Sequence, residues 1–201
     1  MRALYVTHPQ VAIDPEIPVP LWGLSEEGRR RAEVFAGRGI VPKGAVIYSS
    51  RERKALELAA ILAANAGTPV LSEESMGEND RSATGFLPPA LFEAMADRFF
   101  AQPDASADGW EPAIDAQSRI VAAVTAALAA TSLDTPVIFC GHGAVGTLLK
   151  CHAGGRRIAR SEDQSRYGHK GGGNCFAFSL SPLALQSEWT PMEDWPSLSF
   201  G

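Results

Sequence analysis

The sequence predicts an α/β fold: a three-layer sandwich with a mostly parallel central sheet flanked by helices. Three observations carry this. Short apolar runs recur along the chain, and helically patterned stretches separate them. Each run stops abruptly at polar or small residues, as strands buried on both faces do. The 201 residues are 45% hydrophobic and 20% charged, ordinary for one packed domain.

Leu4-Tyr5-Val6 is the first strand and ends at Thr7-His8-Pro9. Pro9, Pro15, Pro18, Pro20 and Gly23 keep residues 9–23 irregular. Ser25 can cap a helix with Glu26 and Glu27 in its first turn and Ala32, Phe35 and Ala36 on one face. Gly37 and Gly39 end it. Ala45-Val46-Ile47-Tyr48 is the second strand, and residues 51–66 carry Ala55, Leu58, Ala59 and Leu62 at helical spacing. Val70-Leu71 is a short third strand. Residues 74–87 are a polar loop with Gly77 and Gly85, of a length that usually serves function. Helices follow over residues 88–100 and from Pro112 in a first turn. Residues 136–140 are the fourth strand, and a helix starts at Gly143 and runs to Cys151. Residues 154–173 are rich in Gly and Arg and irregular. The alternating stretch from Cys175 to Leu180 reads as an edge strand, paired with residues 185–189. Residues 1–201 form one domain, with 74–135 as a helical elaboration beside the site.

The charge balance, 18 basic against 23 acidic residues, gives −5 and disfavours nucleic acid as a partner. A small phosphorylated or anionic substrate stays open. No apolar run approaches the ~20 residues of a membrane helix. The N-terminal run turns polar at Thr7, too soon for a signal peptide. Cys140, Cys151 and Cys175 are an odd, widely spaced set, read as free thiols in a reducing cytoplasm. Oligomeric state is not legible.

Ligands of such sheets sit beyond the C-terminal ends of the parallel strands. Those ends are Thr7-His8-Pro9, Ser49-Ser50-Arg51 and Gly141-His142-Gly143, so two of the four histidines fall there. A neutral imidazole at His8 is a competent nucleophile, or else merely bonds its own turn. His142 opens a helix between two glycines, an anion-friendly place or a plain strand–helix turn. Arg51, Arg53 and Lys54 form a basic first turn, for phosphate or for solvent. Residues 77–85 are dense in hydrogen-bonding groups, and 166–174 could form a flexible phosphate-binding lid. The segment Gly141-His142-Gly143-Ala144-Val145-Gly146 has no serine for an esterase elbow. Cys140, His142, Cys151 and His152 lack a usual zinc spacing, so neither metal nor cofactor is implied.

Five ordered blocks resemble the histidine phosphatase, or phosphoglycerate-mutase-like, superfamily. They are Leu4-Tyr5-Val6-Thr7-His8-Pro9, Leu24-Ser25-Glu26-Glu27-Gly28, Ser49-Ser50-Arg51-Glu52-Arg53-Lys54-Ala55, Met76-Gly77-Glu78 and Phe139-Cys140-Gly141-His142-Gly143. Thr7 and Lys54 stand where the family carries its two phosphate-gripping arginines. The resemblance implies a phosphohydrolase acting on a small phosphomonoester through a phosphohistidine on His8. Glu78 is then the acid, with Asp80 as its substitute, and His142 the second histidine of the phosphate pocket. Lys54, Thr7, Arg51 and Arg81 are the candidate phosphate-binding residues, Arg81 from composition alone. The alternative is a degenerate member that binds a phosphorylated or anionic ligand without turnover.

Overall fold

The computed structural model describes residues 2–180 and 182–196. Its strands are β1 (Arg2–Thr7), β2 (Val46–Ser50), β3 (Val70–Glu73), β4 (Val137–Gly141), β5 (Asn174–Leu180), β6 (Leu183–Leu185) and β7 (Thr190–Pro191). Its helices are α1 (Glu26–Gly37), α2 (Arg53–Ala66), α3 (Pro89–Ala101), α4 (Ala113–Ala129), α5 (Gly143–Ala153) and the single turn α6 (Gln164–Tyr167). The strands form one seven-stranded sheet in the order β3-β2-β4-β1-β5-β6, with β7 also on β5. Pairs β3–β2, β2–β4 and β4–β1 are parallel; β5 joins β1, β6 and β7 antiparallel. The sheet is therefore mixed around a parallel centre.

Alternation along the central strands builds the three layers. Tyr5, Val137, Phe139, Phe176 and Phe178 pack on one face with Phe99, Ile120, Val124 and Leu148 from α3, α4 and α5. Leu4, Val6, Ile138, Cys140 and Cys175 pack on the other with Phe35, Leu58 and Leu62 from α1 and α2. The Ser25 hydroxyl caps α1 by accepting from Gly28 N at 3.1 Å. Gly67 ends α2 in the left-handed conformation at φ 73°.

The expected edge strand is a correction: β5 is interior, because β1 covers one side and β6 and β7 the other. Residues 183–185, not 185–189, make the main hairpin with it, and Thr190 and Pro191 add a short second pairing. Pro112 lies just outside α4 as its cap. The irregular 154–173 region contains a 3₁₀ turn at Arg160–Glu162 and then α6. Beyond Pro191, Met192 and Trp195 are buried against the α1–α2 face. The three cysteines are free and buried. No helix among the described residues is long and apolar enough to cross a membrane.

Candidate active site

Adjacent parallel strands β1 and β4 run in register from Ala3–Val137 to Thr7–Gly141, so the residues that follow them, His8 and His142, emerge side by side. The His8 amide extends the ladder by donating to Gly141 O at 2.9 Å. Tyr5 fixes the second exit. Its hydroxyl accepts from His142 N at 3.0 Å and donates to His142 O at 3.1 Å. Glycine is required beside it, since a Cβ on Gly141 would lie 2.2 Å from that hydroxyl.

The two imidazoles meet edge to face with ring centroids 5.3 Å apart. His8 Nδ1 lies 2.9 Å from Pro9 O. A carbonyl can only accept, so Nδ1 carries the proton and Nε2 keeps the lone pair. Desolvation, reinforced by His142 and Lys54, lowers the His8 pKa to about 3. Desolvation likewise lowers His142 to about 4, against the pull of Glu52. Both rings are thus neutral near pH 7. His142 Nε2 lies 2.6 Å from Ser50 Oγ, at the end of β2.

Glu78 joins two parts of the site. Its carboxylate accepts from Ala144 N at 3.1 Å and Val145 N at 3.0 Å, the free amides of the α5 N-terminus. Its own amide donates to Glu52 Oε1 at 2.8 Å. Arg119 of α4 holds this loop in place, bonding Ser75 O, Gly77 O and Glu78 O at 2.8–3.1 Å while paired with Glu111. The Asn79 carboxamide and His142 Nδ1 are buried with no hydrogen-bond partner among the described residues.

Lys54 is buried in the first turn of α2; its ammonium donates to Val19 O at 3.0 Å and is paired with Glu52. Thr7 is fully buried. Its hydroxyl donates to Gln164 Oε1 at 2.8 Å and accepts from Asn174 N at 2.9 Å. Asn174 Nδ2 donates to the same Gln164 oxygen at 2.8 Å. The Gln164 Nε2 amide consequently lies over Gly143, 2.2 Å from where a Cβ would be.

The remaining expected residues fall elsewhere. Arg51 is exposed and only 3.6 Å from Glu74, and Arg53 pairs with Glu57. Arg81 lies over the Phe92 and Trp110 rings at 5.2 and 5.5 Å. The Asp80 carboxylate turns away to cap Ser82 N at 2.8 Å. The 166–174 stretch is a fastened turn: Gly173 N donates to His8 O and His169 N to Asn174 Oδ1.

The profile of the histidine phosphatase superfamily (branch 1) matches residues 17–166. The chain belongs to the histidine phosphatase superfamily. The match contains Lys54, Glu78 and His142, whereas Thr7 and His8 precede it. No curated protein matches the chain in sequence. Among solved structures it is similar to the mycobacterial glucosyl-3-phosphoglycerate phosphatase, with TM-score 0.76 and 20% identity over 94% of this chain and 98% of that one. It is also similar to Bacillus stearothermophilus YhfR, with TM-score 0.74 and 18% identity over 92% and 94%. At such identities these likenesses establish the shared fold.

Within the superfamily frame, sequence reasoning missed Tyr5, Ser50, Glu52, Arg119, Gln164 and Asn174. Glu52 had a signal, an acid two residues before the buried lysine at a strand exit. Gln164 and Asn174 had none, since only folding brings them to Thr7.

Proposed function

We propose that the chain hydrolyses a small phosphomonoester through a phosphoryl group carried on His8. Nε2 attacks phosphorus as the bond to the leaving oxygen breaks, and the Glu78 carboxyl gives that oxygen its proton. Water then attacks the phosphohistidine, Glu78 takes back a proton, and phosphate leaves with His8 regenerated. His142 and the Gly143 amide, the first of α5 and the one Glu78 does not take, would hold the phosphoryl oxygens, with the Glu52-paired Lys54 ammonium at their flank.

The observation that carries this reading is the His8 ring: neutral, with Nδ1 fixed on Pro9 O and Nε2 free, beside a second neutral imidazole. Family membership supports phosphohydrolase chemistry in general, as does the mycobacterial phosphatase, solved with inorganic phosphate and with VO3. The buried free thiols fit a reducing cytoplasm. The test is rapid quenching with an activated aryl phosphate. An alkali-stable, acid-labile phosphoryl adduct should map to His8 and vanish in His8→Ala, with turnover reduced about 10³-fold or more. Full turnover in His8→Ala, or an adduct elsewhere, overturns the mechanism.

A second reading, ligand binding without turnover, is favoured by one observation: Glu52 already pairs with the Lys54 ammonium. Stabilisation by inorganic phosphate with neither adduct nor turnover would select it.

A further inference from the structure

Glu52 occupies an unusual place. It is the residue that caps α2, yet its side chain makes no capping bond to the helix backbone. It reaches across the end of β2 instead. Oε1 accepts the Glu78 amide at 2.8 Å and lies 3.4 Å from His142 Nε2, while Oε2 is bonded to the Lys54 ammonium. The carboxylate is only 15% exposed. Burial alone would raise its pKa, but His142 and Lys54 outweigh burial and hold it at about 2. A permanent anion therefore stands against the imidazole proposed to bind the phosphoryl group.

The groups around it do not offset a second anion. Lys54 from α2 is already paired. His8 after β1 and His142 before α5 are neutral. Glu78 presents another carboxylate, and Arg119 of α4 is paired with Glu111. Arg81 makes no ion pair with a carboxylate among the described residues, and it stacks on two rings. On the other flank, Thr7 directs the uncharged Gln164 amide toward Gly143. A fully ionised phosphoryl oxygen placed against Glu52 would face it lone pair to lone pair, with no hydrogen between them. A phosphoryl oxygen that carries its proton would instead donate to the carboxylate, a strong charge-assisted bond.

The geometry points to Glu52 as a specificity-determining residue that admits the protonated, singly charged phosphoryl group by accepting its P–OH hydrogen, and rejects fully ionised oxyanions. This deepens the anion-site reading above and rests on it for location. Each substrate would enter as the monoanion, and its Glu52-bound proton would stay on the phosphoryl group through transfer to His8.

The test compares inorganic phosphate with sulfate, by calorimetry on the intact chain, at about pH 5.5 and about pH 8.5, on either side of the second phosphate ionisation. Sulfate has no proton to give at either pH. Sulfate also controls for the histidines, whose pKa values are lowered in the free chain: protonation of either ring on anion binding would strengthen both anions and not phosphate alone. Phosphate should bind about tenfold or more tighter at the lower pH, and sulfate weakly at both, because one charged hydrogen bond is gained or lost. Glu52→Gln keeps an oxygen for the Glu78 amide and removes the charge. It should bind sulfate and high-pH phosphate about tenfold tighter and flatten the pH profile. Equal affinity of the wild-type chain for both anions at low pH, an unchanged profile in Glu52→Gln, or binding of neither anion at either pH overturns the proposal. The wild-type comparison decides even where the variant fails to fold. Phosphate preference without a His8 adduct would leave Glu52 its role and remove the hydrolase reading; an adduct without the preference does the reverse.

Discussion

Thr7 and Lys54 stand at the two places where superfamily resemblance leads one to expect arginine, and the surroundings of each have been rebuilt in opposite ways. At Thr7 the charge is gone, and the space is tied by an uncharged network of Gln164 and Asn174. At Lys54 the charge is kept, buried and paired with Glu52. Both solutions leave the flank without an unbalanced cation. Against that expectation the difference is more than two missing guanidinium forks: one side carries no charge, and the other carries a charge that is paired.

The comparison breaks most visibly at the charged flank. Lys54→Met leaves the Glu52 carboxylate buried without its cation and should cost about 3–5 kcal/mol in chemical denaturation. Adding Glu52→Gln removes the stranded charge, so the double variant should recover most of that loss. A Lys54→Met chain as stable as wild type would mean the pair is solvated and the contrast with Thr7 is empty.

Glu78 joins the charged flank, through its amide on Glu52, to the start of α5, and Glu78→Gln keeps one oxygen for the α5 amides but has no acidic proton to give. Hydrolysis of alkyl phosphates should fall about 10²–10⁴-fold, while activated aryl phosphates are largely spared. An equal loss on both would take the acid role from Glu78.

The uncharged flank should respond less. Thr7→Val removes the acceptor of the buried Asn174 amide and should cost about 1–3 kcal/mol, read from denaturation midpoints. Thr7→Arg is not a simple restoration, because Gln164 and Asn174 fill the space. It should destabilise by about 1–3 kcal/mol through overpacking, less when Gln164→Ala accompanies it.

The smallest effect separates the two histidines from the charged flank by pH. The folded-state pKa of each site histidine lies below the ordinary 6.5, so the unfolded chain binds protons first as pH falls. That contribution to stability is complete above about pH 6.5 and is lost toward pH 3–4. The Glu52 contribution persists lower, disappearing from about pH 4.5 toward 2. Thermal scans should show Glu52→Gln removing the lower step, and His142→Gln flattening the upper step while moving the lower one to higher pH, because His142 helps hold Glu52 down.

The sequence showed the layers well because burial is written in periods. Leu4 and Val6 against Tyr5, and Ile138 against Phe139, sort the faces by alternation alone. The approach of His8 and His142 was legible too, as both follow parallel strand ends. The rest was hidden for physical reasons. The β5 stretch looks the same as an edge or an interior strand, since its position depends on distant partners. Arg51 and Lys54 differ by three positions in one basic turn, and only the direction of α2 buries one and exposes the other. Thr7 could not announce Gln164, which lies 157 residues away.

The position of β1 carries one more consequence, for synthesis. It is the first strand made, yet its neighbours in the sheet are β4 and β5, while β2 and β3 lie beyond β4. During translation both backbone edges of β1 stay open until residues 137–141 leave the ribosome, on the order of 10 s at ordinary elongation rates. Leu4, Tyr5 and Val6 meanwhile form an apolar run with unpaired edges, the kind of segment other chains add to. The architecture that sets His8 beside His142 thus postpones its own nucleation, and nascent chains halted between β3 and β4 should be the ones that holdase chaperones retain.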